Sequence, residues 1–397
     1  MRVAVFGMGH VGLVTAVMLA YYGHDVIGVD VDHEKLALLH AGNLPFYEPD
    51  LKSLMSYACN EGRLHFMQDG AAVVRDNDVS LVCVGTPSAT DGSVDLGAVC
   101  SALDVIAAGL KEHTGYHVVA IRSTIPPAAV DNLVLHLDWY SGHSKCGFCV
   151  NPEFLREGSA VKDFANPPFV LIGQADTRAG EQLAGLYAHI RARQIVTDCK
   201  TAMLVKYVSN AWHALKVTFA NEIGDIAVTV GVNGRALMDI FIQDTALNIS
   251  GAYLRPGAPF GGSCLPKDLR ALVGMCDGKS ASVLTAVMHS NDKRVWRIVD
   301  RSLATGAQRF AVIGASFKMG TDDVRESPWI TVAQRLLDAG KEVRMYDPEV
   351  RQTNSLLTDD LHTLLQWAEC TIIGKPDLIP PGAYLPEWVI YEDGRCA

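Results

Sequence analysis

The sequence predicts an α/β protein: an N-terminal doubly wound domain of the Rossmann type, a central region built on one long helix, and a smaller C-terminal Rossmann-like α/β domain. Three observations carry this prediction. The chain opens on strand, glycine loop, helix and strand, "RVAVFGMGHVGLVTAVMLAYYGHDVIGVD". β-Branched runs then alternate with helical patterns to about residue 195, as in a sheet wound by helices. A second strand–loop–helix start, "RFAVIGASFK", begins at residue 309. At 397 residues the chain is too long for one core, and the expected divisions are 1–197, 198–305 and 306–397.

Residues 2–6 are a short β-branched strand, and Gly7-x-Gly9-x-x-Gly12 follows, enclosing His10 and Val11. A helical pattern runs to Tyr22, and "HDVIGVD" is a second strand ending in Asp30, 18 residues beyond Gly12. A glycine pattern alone is a weak signal. Between a strand and a helix, with an acid at this distance, it reads as a dinucleotide site rather than a bare tight turn. The first glycine permits the turn, the second admits the pyrophosphate, and the third lets helix and strand pack. The helix N-terminus faces the phosphates. Asp30 would take the ribose hydroxyls and repel a 2′-phosphate, which favours NAD over NADP.

Further strands are expected at "VSLVCVG" (79–85), "HVVAIRST" (117–124), "GFCVNP" (147–152) and "FVLIG" (169–173), with helices such as 94–111 and 126–137 between them. The loops that follow hold "GTP" (85–87), "RSTIPP" (122–127) and "NPEFLREG" (151–158), at the strand ends where this architecture places ligands. From Asp198 to about Val230 a helical pattern runs without proline and without glycine before Gly224. At about 1.5 Å per residue it spans roughly 45 Å, a length suited to bridging domains or subunits. Helical segments follow at 234–243 and 265–305, then strands at "RFAVIGASFK", "KEVRMYDP" (341–348) and "CTIIG" (370–374).

Composition removes several classes of function. The formal charge of −10 argues against nucleic-acid or anionic-membrane partners, though not against a phosphorylated small ligand. The 10 cysteines are scattered, several within apolar runs such as Cys83, as in reduced cytosolic proteins. The C-x-x-C at Cys146–Cys149 has no second pair, so no metal is expected. Glycines 7, 9 and 12 break the N-terminal apolar run, no cleavage site follows, and no stretch of 18 residues could span a bilayer. A cytoplasmic protein is expected.

Three constellations carry chemistry. In "FGGSCLPKD" (260–268) Cys264 opens a helix, where the N-terminus and Lys267 favour a thiolate, and Asp268 shares its face. The other reading is a small buried thiol. Lys206 and Asn210 are adjacent on one face of the long helix, as functional groups or as a solvated stripe. Glu153 follows a proline at a strand end and could act as a base or orient a water, or serve as ordinary turn chemistry. With NAD these residues suggest a reaction. An alcohol is oxidised to an aldehyde, the thiol traps it as a thiohemiacetal, a second oxidation gives a thioester, and water releases a carboxylate.

Taken together, "VFGMGHVGLVTA", "VGTPS", "RSTIPP", "NPEFLREGSAVKDF", "GGSCLPKD" and "SFKMGTDDVRESP" resemble the UDP-glucose/GDP-mannose dehydrogenase family over nearly the whole chain. The segments "KVTFANEIGDIAVTVGVNGR" and "RPGAPFGGSCLPKDLRAL" are most similar to its GDP-mannose branch. The resemblance implies oxidation of GDP-mannose to GDP-mannuronate, a precursor of alginate-type polysaccharides. UDP-glucose or a UDP-N-acetylhexosamine is the alternative substrate. It implies Cys264 as thioester nucleophile, with Lys206 and Asp268 handling protons and the oxyanion and Asn210 holding the sugar. Glu153 would serve hydrolysis and Thr124 a catalytic water. Gly7, Gly9, His10, Val11, Gly12, Asp30, Lys35, Thr86, Thr124, Glu157 and Cys264 would hold NAD, joined by Arg325, across a subunit boundary. Phe154, Leu155, Arg156, Lys206, Asn210, His213, Asn221, Tyr253, Leu254, Arg255, Phe260, Gly261 and Lys318 would line the nucleotide-sugar site, with Arg395 a further contact. A homodimer through the long helix, or a larger homo-oligomer, is implied. The chain departs from the branch in having Ala252 beside Tyr253 where two tyrosines are expected, and in a short C-terminal domain. Outside the family, two other readings stand. A two-electron hydroxyacid dehydrogenase of this layout would be indifferent to Cys264. A non-enzymatic dinucleotide-responsive module would bind NAD without reducing it.

Overall fold

The strand–loop–helix alternation of the N-terminal half forms one eight-stranded sheet. The computed structural model describes residues 1–141, 146–229, 231–245, 256–275, 282–351 and 355–391. Tyr253, Leu254, Arg255 and Arg395 lie outside them. Two compact units result, Met1–Val208 and Ser209–Ala397.

In the first unit the strands are β1 (Arg2–Phe6), β2 (Asp25–Val29), β3 (Leu64–Met67), β4 (Val79–Val82), β5 (His117–Ile121), β6 (Cys146–Val150), β7 (Phe169–Gln174) and β8 (Arg193–Thr197). They lie in the order β3-β2-β1-β4-β5-β6-β7-β8. Strands β1 to β6 pair in parallel; β7 runs antiparallel to β6, and β8 is parallel to β7. The chain reverses its winding between β1 and β4, the point at which this architecture binds dinucleotides. Every residue of β4 and β5 is buried, which explains why both are apolar apart from Ser80 and His117, which bond to each other. The helix His10–Tyr21 buries every residue from Gly12 to Ala20. It is apolar all round because it is covered on all sides, not because it meets lipid. Among the described residues no helix is long and apolar enough to cross a membrane.

The long helix is Cys199–Thr229, 31 residues, and it runs through the boundary between the units. In the second unit the helices Gly234–Phe241, Leu265–Met275 and Ser282–Ala304 precede a parallel sheet. Its strands β9 (Arg309–Ile313), β10 (Glu342–Tyr346), β11 (Cys370–Ile373) and β12 (Trp388–Tyr391) lie in the order β10-β9-β11-β12. The helix Pro328–Asp338 covers it, with Ser327 as its cap and a proline at the first position, and buries Trp329 and Leu336 against Phe310 and Val312.

Candidate active site

The three glycines of the first turn have three different reasons to be glycine. Gly7 has φ +92°, and a Cβ there would lie 2.9 Å from Val84 Cα. At Gly12 a Cβ would fall 1.7 Å from the carbonyl oxygen of Gly7, so only glycine lets the helix start against the turn. Gly9, the N-cap of the helix His10–Tyr21, has nothing within 4 Å of its Cβ direction and its helix end lacks a side-chain cap. Packing does not demand glycine there. Open space before uncapped N–H groups is what a pyrophosphate needs.

Asp30 stands at the end of β2, buried, and its Oδ2 accepts the N–H of Met8 at 2.6 Å and Lys35 Nζ at 2.7 Å. Its Oδ1 accepts the N–H of Asp32 at 3.0 Å. Burial pushes this carboxyl up, but these hydrogen bonds and the Lys35 charge outweigh it and hold it below the usual range. The residues therefore fit an NAD ribose and pyrophosphate. Thr86 is buried, whereas Val11, Thr124 and Glu157 are half-buried. His10 stacks on Phe46 at 4.5 Å, with Nε2 3.0 Å from Glu48 Oε2.

The loop after β6 is held from beneath. Glu153 is buried, its Oε1 accepting Lys206 Nζ at 2.8 Å and its Oε2 the N–H of Leu155 at 2.5 Å. Burial raises the Glu153 carboxyl, but the Lys206 charge and hydrogen bond, the Arg122 charge and the Leu155 N–H bring it below its ordinary value. Lys206 Nζ also lies 5.6 Å over the ring of Phe154. Leu155 packs on the core, and Arg156 forks onto Asp163 at 2.7 and 3.0 Å.

Two buried groups in this region escape sequence reasoning. Glu48 accepts the N–H groups of Gly158 and Ala160, both at 2.8 Å, and so fixes the end of that loop. Arg122 donates to Thr15 Oγ1 at 3.1 Å and Asn151 Oδ1 at 2.6 Å, joining the β5 and β6 loops. The only hints are a polar residue within each of "NLPFYEPDL" and "RSTIPP".

In the second unit Cys264 is exposed, at the start of the helix Leu265–Met275. Its carbonyl accepts the N–H of Asp268 at 2.9 Å, and its Sγ lies 3.7 Å from Ser263 Oγ. Asp268 is buried; Asn210 Nδ2 donates to its Oδ2, and Lys267 Nζ stands 3.2 Å from its Oδ1. The lysine charge is thus directed at the carboxylate one residue on.

The two glycines before the thiol are packing glycines. A Cβ on Gly261 would lie 2.4 Å from Glu326 O, and one on Gly262 (φ +86°) 2.9 Å from the Phe317 ring. Asn291 grips Phe260 from both sides, accepting its N–H at 2.8 Å and donating to its carbonyl at 3.0 Å. Asn221 accepts the N–H of Gly257 at 2.6 Å and donates to Ala258 O at 3.3 Å. His213 is half-buried on the long helix. Lys318 Nζ lies 5.5 Å over Phe317, and the exposed Arg325 forks onto Asp323 at 2.6 to 3.0 Å. Asn291 was not anticipated; its partners are 31 residues away and its helix pattern is ordinary.

Comparison with known proteins gives this geometry a family. Three domains of the UDP-glucose/GDP-mannose dehydrogenase family match in order: the NAD-binding domain at residues 1–191, the central domain at 200–293 and the UDP-binding domain at 311–376. The chain is 40% identical to a GDP-mannose 6-dehydrogenase of Pseudomonas putida over 95% of its own length and 91% of that protein's. Among solved structures, a UDP-glucose dehydrogenase from Pyrobaculum islandicum aligns with a TM-score of 0.89 and 34% identity over 94% of this chain and 90% of that one. A ternary complex of the GDP-mannose dehydrogenase from Pseudomonas aeruginosa aligns with a TM-score of 0.62 and 39% identity, over 97% and 95%. The chain belongs to the UDP-glucose/GDP-mannose dehydrogenase family and is an NAD-dependent nucleotide-sugar dehydrogenase.

Proposed function

We propose that the enzyme oxidises GDP-mannose at C6 to GDP-mannuronate in two successive two-electron steps through a thioester on Cys264. The observation that carries this is an exposed thiol at a helix start, with a buried carboxylate, Asp268, in the next turn and two glycines before it that tolerate no side chain. A dehydrogenase that stopped at the aldehyde would need none of this. The overall balance is one primary alcohol, two NAD and one water giving one carboxylate, two NADH and three protons.

Gly7, Gly9, Gly12 and Asp30, with Lys35, Thr86, Glu157 and Arg325, would hold NAD, which would supply the hydride acceptor for each oxidation. The chain's own groups do the rest. Cys264 adds to the aldehyde carbon, the new oxygen is stabilised by the Lys206 ammonium, Lys206 and Asp268 carry protons, and Asn210 holds the sugar. Glu153, held ionised by Lys206 and Arg122, draws a proton from the water that cleaves the thioester, with Thr124 placing that water. Phe154, Leu155, Arg156, His213, Asn221, Tyr253, Leu254, Arg255, Phe260, Gly261 and Lys318 line the nucleotide-sugar site.

The 40% identity to a GDP-mannose 6-dehydrogenase over 95% of the chain supports GDP-mannose over UDP-glucose, whose dehydrogenase from Rhizobium meliloti is 37% identical over 91%. The long helix supports a homodimer: Leu204, Val208, Trp212 and Phe219 fall on one face and are 41 to 54% exposed. The test is to incubate the enzyme with NAD and a panel of GDP- and UDP-sugars and count NADH per sugar consumed. Two per GDP-mannose is expected, and none from Cys264→Ser beyond the first oxidation. One per sugar rejects the thioester, and preferential consumption of UDP-glucose rejects the substrate.

A further inference from the structure

Strands β9 and β10 repeat the geometry of β1 and β2. Gly7 follows β1 with φ +92° and donates its N–H to Val29 O at 2.7 Å; Gly314 follows β9 with φ +106° and donates to Tyr346 O at 2.8 Å. Next, the N–H of Met8 donates to Asp30 Oδ2 at 2.6 Å, and that of Ala315 to Asp347 Oδ2 at 2.7 Å. Asp347, directly after β10, is therefore the counterpart of Asp30, directly after β2.

The two copies then diverge. In the first a helix begins at His10, immediately behind the turn; in the second the helix waits until Pro328, and residues 315–327 form a loop that carries Lys318. The cation on Asp30 is Lys35, with 25% of its side chain exposed. The cation on Asp347 is Lys375, which enters from the segment after β11, and the two side chains are 1% and 0% exposed. Asp347 also accepts the N–H and the hydroxyl of Ser316, at 3.0 and 3.2 Å. Lys375 Nζ stands 2.9 Å from Asp347 Oδ2 and 3.0 Å from Glu349 Oε2. Glu349 in turn accepts the N–H of Gly320 at 3.1 Å. One buried ammonium thus ties together two carboxylates that grip the loop on either side of Lys318. Its stem fills the space before Gly314, where a Cβ would fall 2.7 Å from Lys375 Cγ.

We propose that Lys375 is a positioning residue for nucleotide-sugar binding: through Asp347 and Glu349 it holds the loop of residues 315–320, and with it Lys318, in the shape that receives the nucleoside diphosphate. This rests on the reading of the C-terminal domain as the nucleotide-binding part and of Lys318 as a ligand. The acid that reads a ribose in the first copy is here turned inward, so recognition falls to the loop it anchors.

The test compares Lys375→Met, Lys375→Arg and Glu349→Gln with the parent enzyme, measuring kcat and KM for GDP-mannose and for NAD. Lys375→Met is expected to raise KM for GDP-mannose about tenfold or more, with kcat within about threefold and KM for NAD unchanged; Lys375→Arg recovers part of this. Glu349→Gln, which leaves the Lys375–Asp347 pair intact, is expected to raise the same KM by about threefold. An unchanged KM for GDP-mannose in folded Lys375→Met, or equal losses in every parameter, overturns the proposal. If Lys375→Met does not fold, an unchanged KM in Glu349→Gln overturns it. Should the parent enzyme reduce no NAD with any nucleotide sugar, the functional reading fails on its own. Calorimetric titration with GDP and UDP then still decides here: equal Kd for parent and Glu349→Gln sinks the proposal, and a weaker Kd supports it.

Discussion

Asp30 shows how one side chain can carry two duties. Its carboxylate accepts the N–H of Met8, which shapes the glycine turn, and pairs with Lys35, whose own side chain is 25% exposed at the edge of the proposed ribose site. Asp30→Ser should raise KM for NAD at least about tenfold and relax the exclusion of NADP, read as the NAD/NADP ratio of kcat/KM. Glu153 and Lys206 are a buried pair, 7% and 3% exposed. Lys206→Ala should destabilise the protein by about 3–5 kcal/mol by leaving a buried carboxylate without its cation. Denaturant melts should show Glu153→Gln added to Lys206→Ala recovering much of that loss. Asp30 was legible in the sequence because its spacing from the glycines is short-range. Glu48 was not, since the N–H groups it satisfies lie 110 and 112 residues along the chain. Long-range side-chain-to-backbone bonds leave no periodicity to read.

The glycine turn makes a paired prediction for an element. Gly12→Ala should abolish folding or lower Tm steeply, since its Cβ would overlap the Gly7 carbonyl at 1.7 Å. Gly9→Ala should leave Tm within about 2 °C, because nothing lies within 4 Å, while NAD affinity falls. Thermal melts and NAD titration separate the two. On the long helix, Trp212→Glu should place a charge on the exposed apolar face and shift the protein to monomer in sedimentation or light scattering. Expectation and structure agree best where patterns are long: the helix Cys199–Thr229 lies within a residue of the predicted ends. They part at β3, β8 and β12, strands of four or five residues, of which β3 is buried on only one face and β8 on neither. The reversal of β7 against β6 was also invisible, because strand direction depends on the route of the connection and not on side-chain character.

At the scale of the molecule, histidines whose protonation burial disfavours contribute to the response to acid. His117 donates from Nδ1 to Asn77 O at 2.9 Å and accepts at Nε2 from Ser80 Oγ at 2.8 Å. Burial pulls it down from 6.5 to about 4. The unfolded chain therefore binds a proton that the folded one refuses. Stability is full above pH 6.5 and falls progressively as pH drops towards 4, by about 3 kcal/mol for this group alone. Burial also lowers His189 to about 4 and depresses His24, adding to the same slope. Urea midpoints across this range should fall with pH, and His117→Gln should flatten the curve. A different consequence follows from Gly261 and Gly262, which press directly on Glu326 and Phe317 of the β9 to Pro328 connection. A truncated enzyme ending before residue 306 would retain every atom of its thiol and every atom of its dinucleotide fold. It would lose the wall against which the sulfur-bearing stretch is moulded. Grafting the last third of a relative onto this chain to change sugar preference therefore also remoulds the stretch around Cys264, unless those two wall residues travel unchanged.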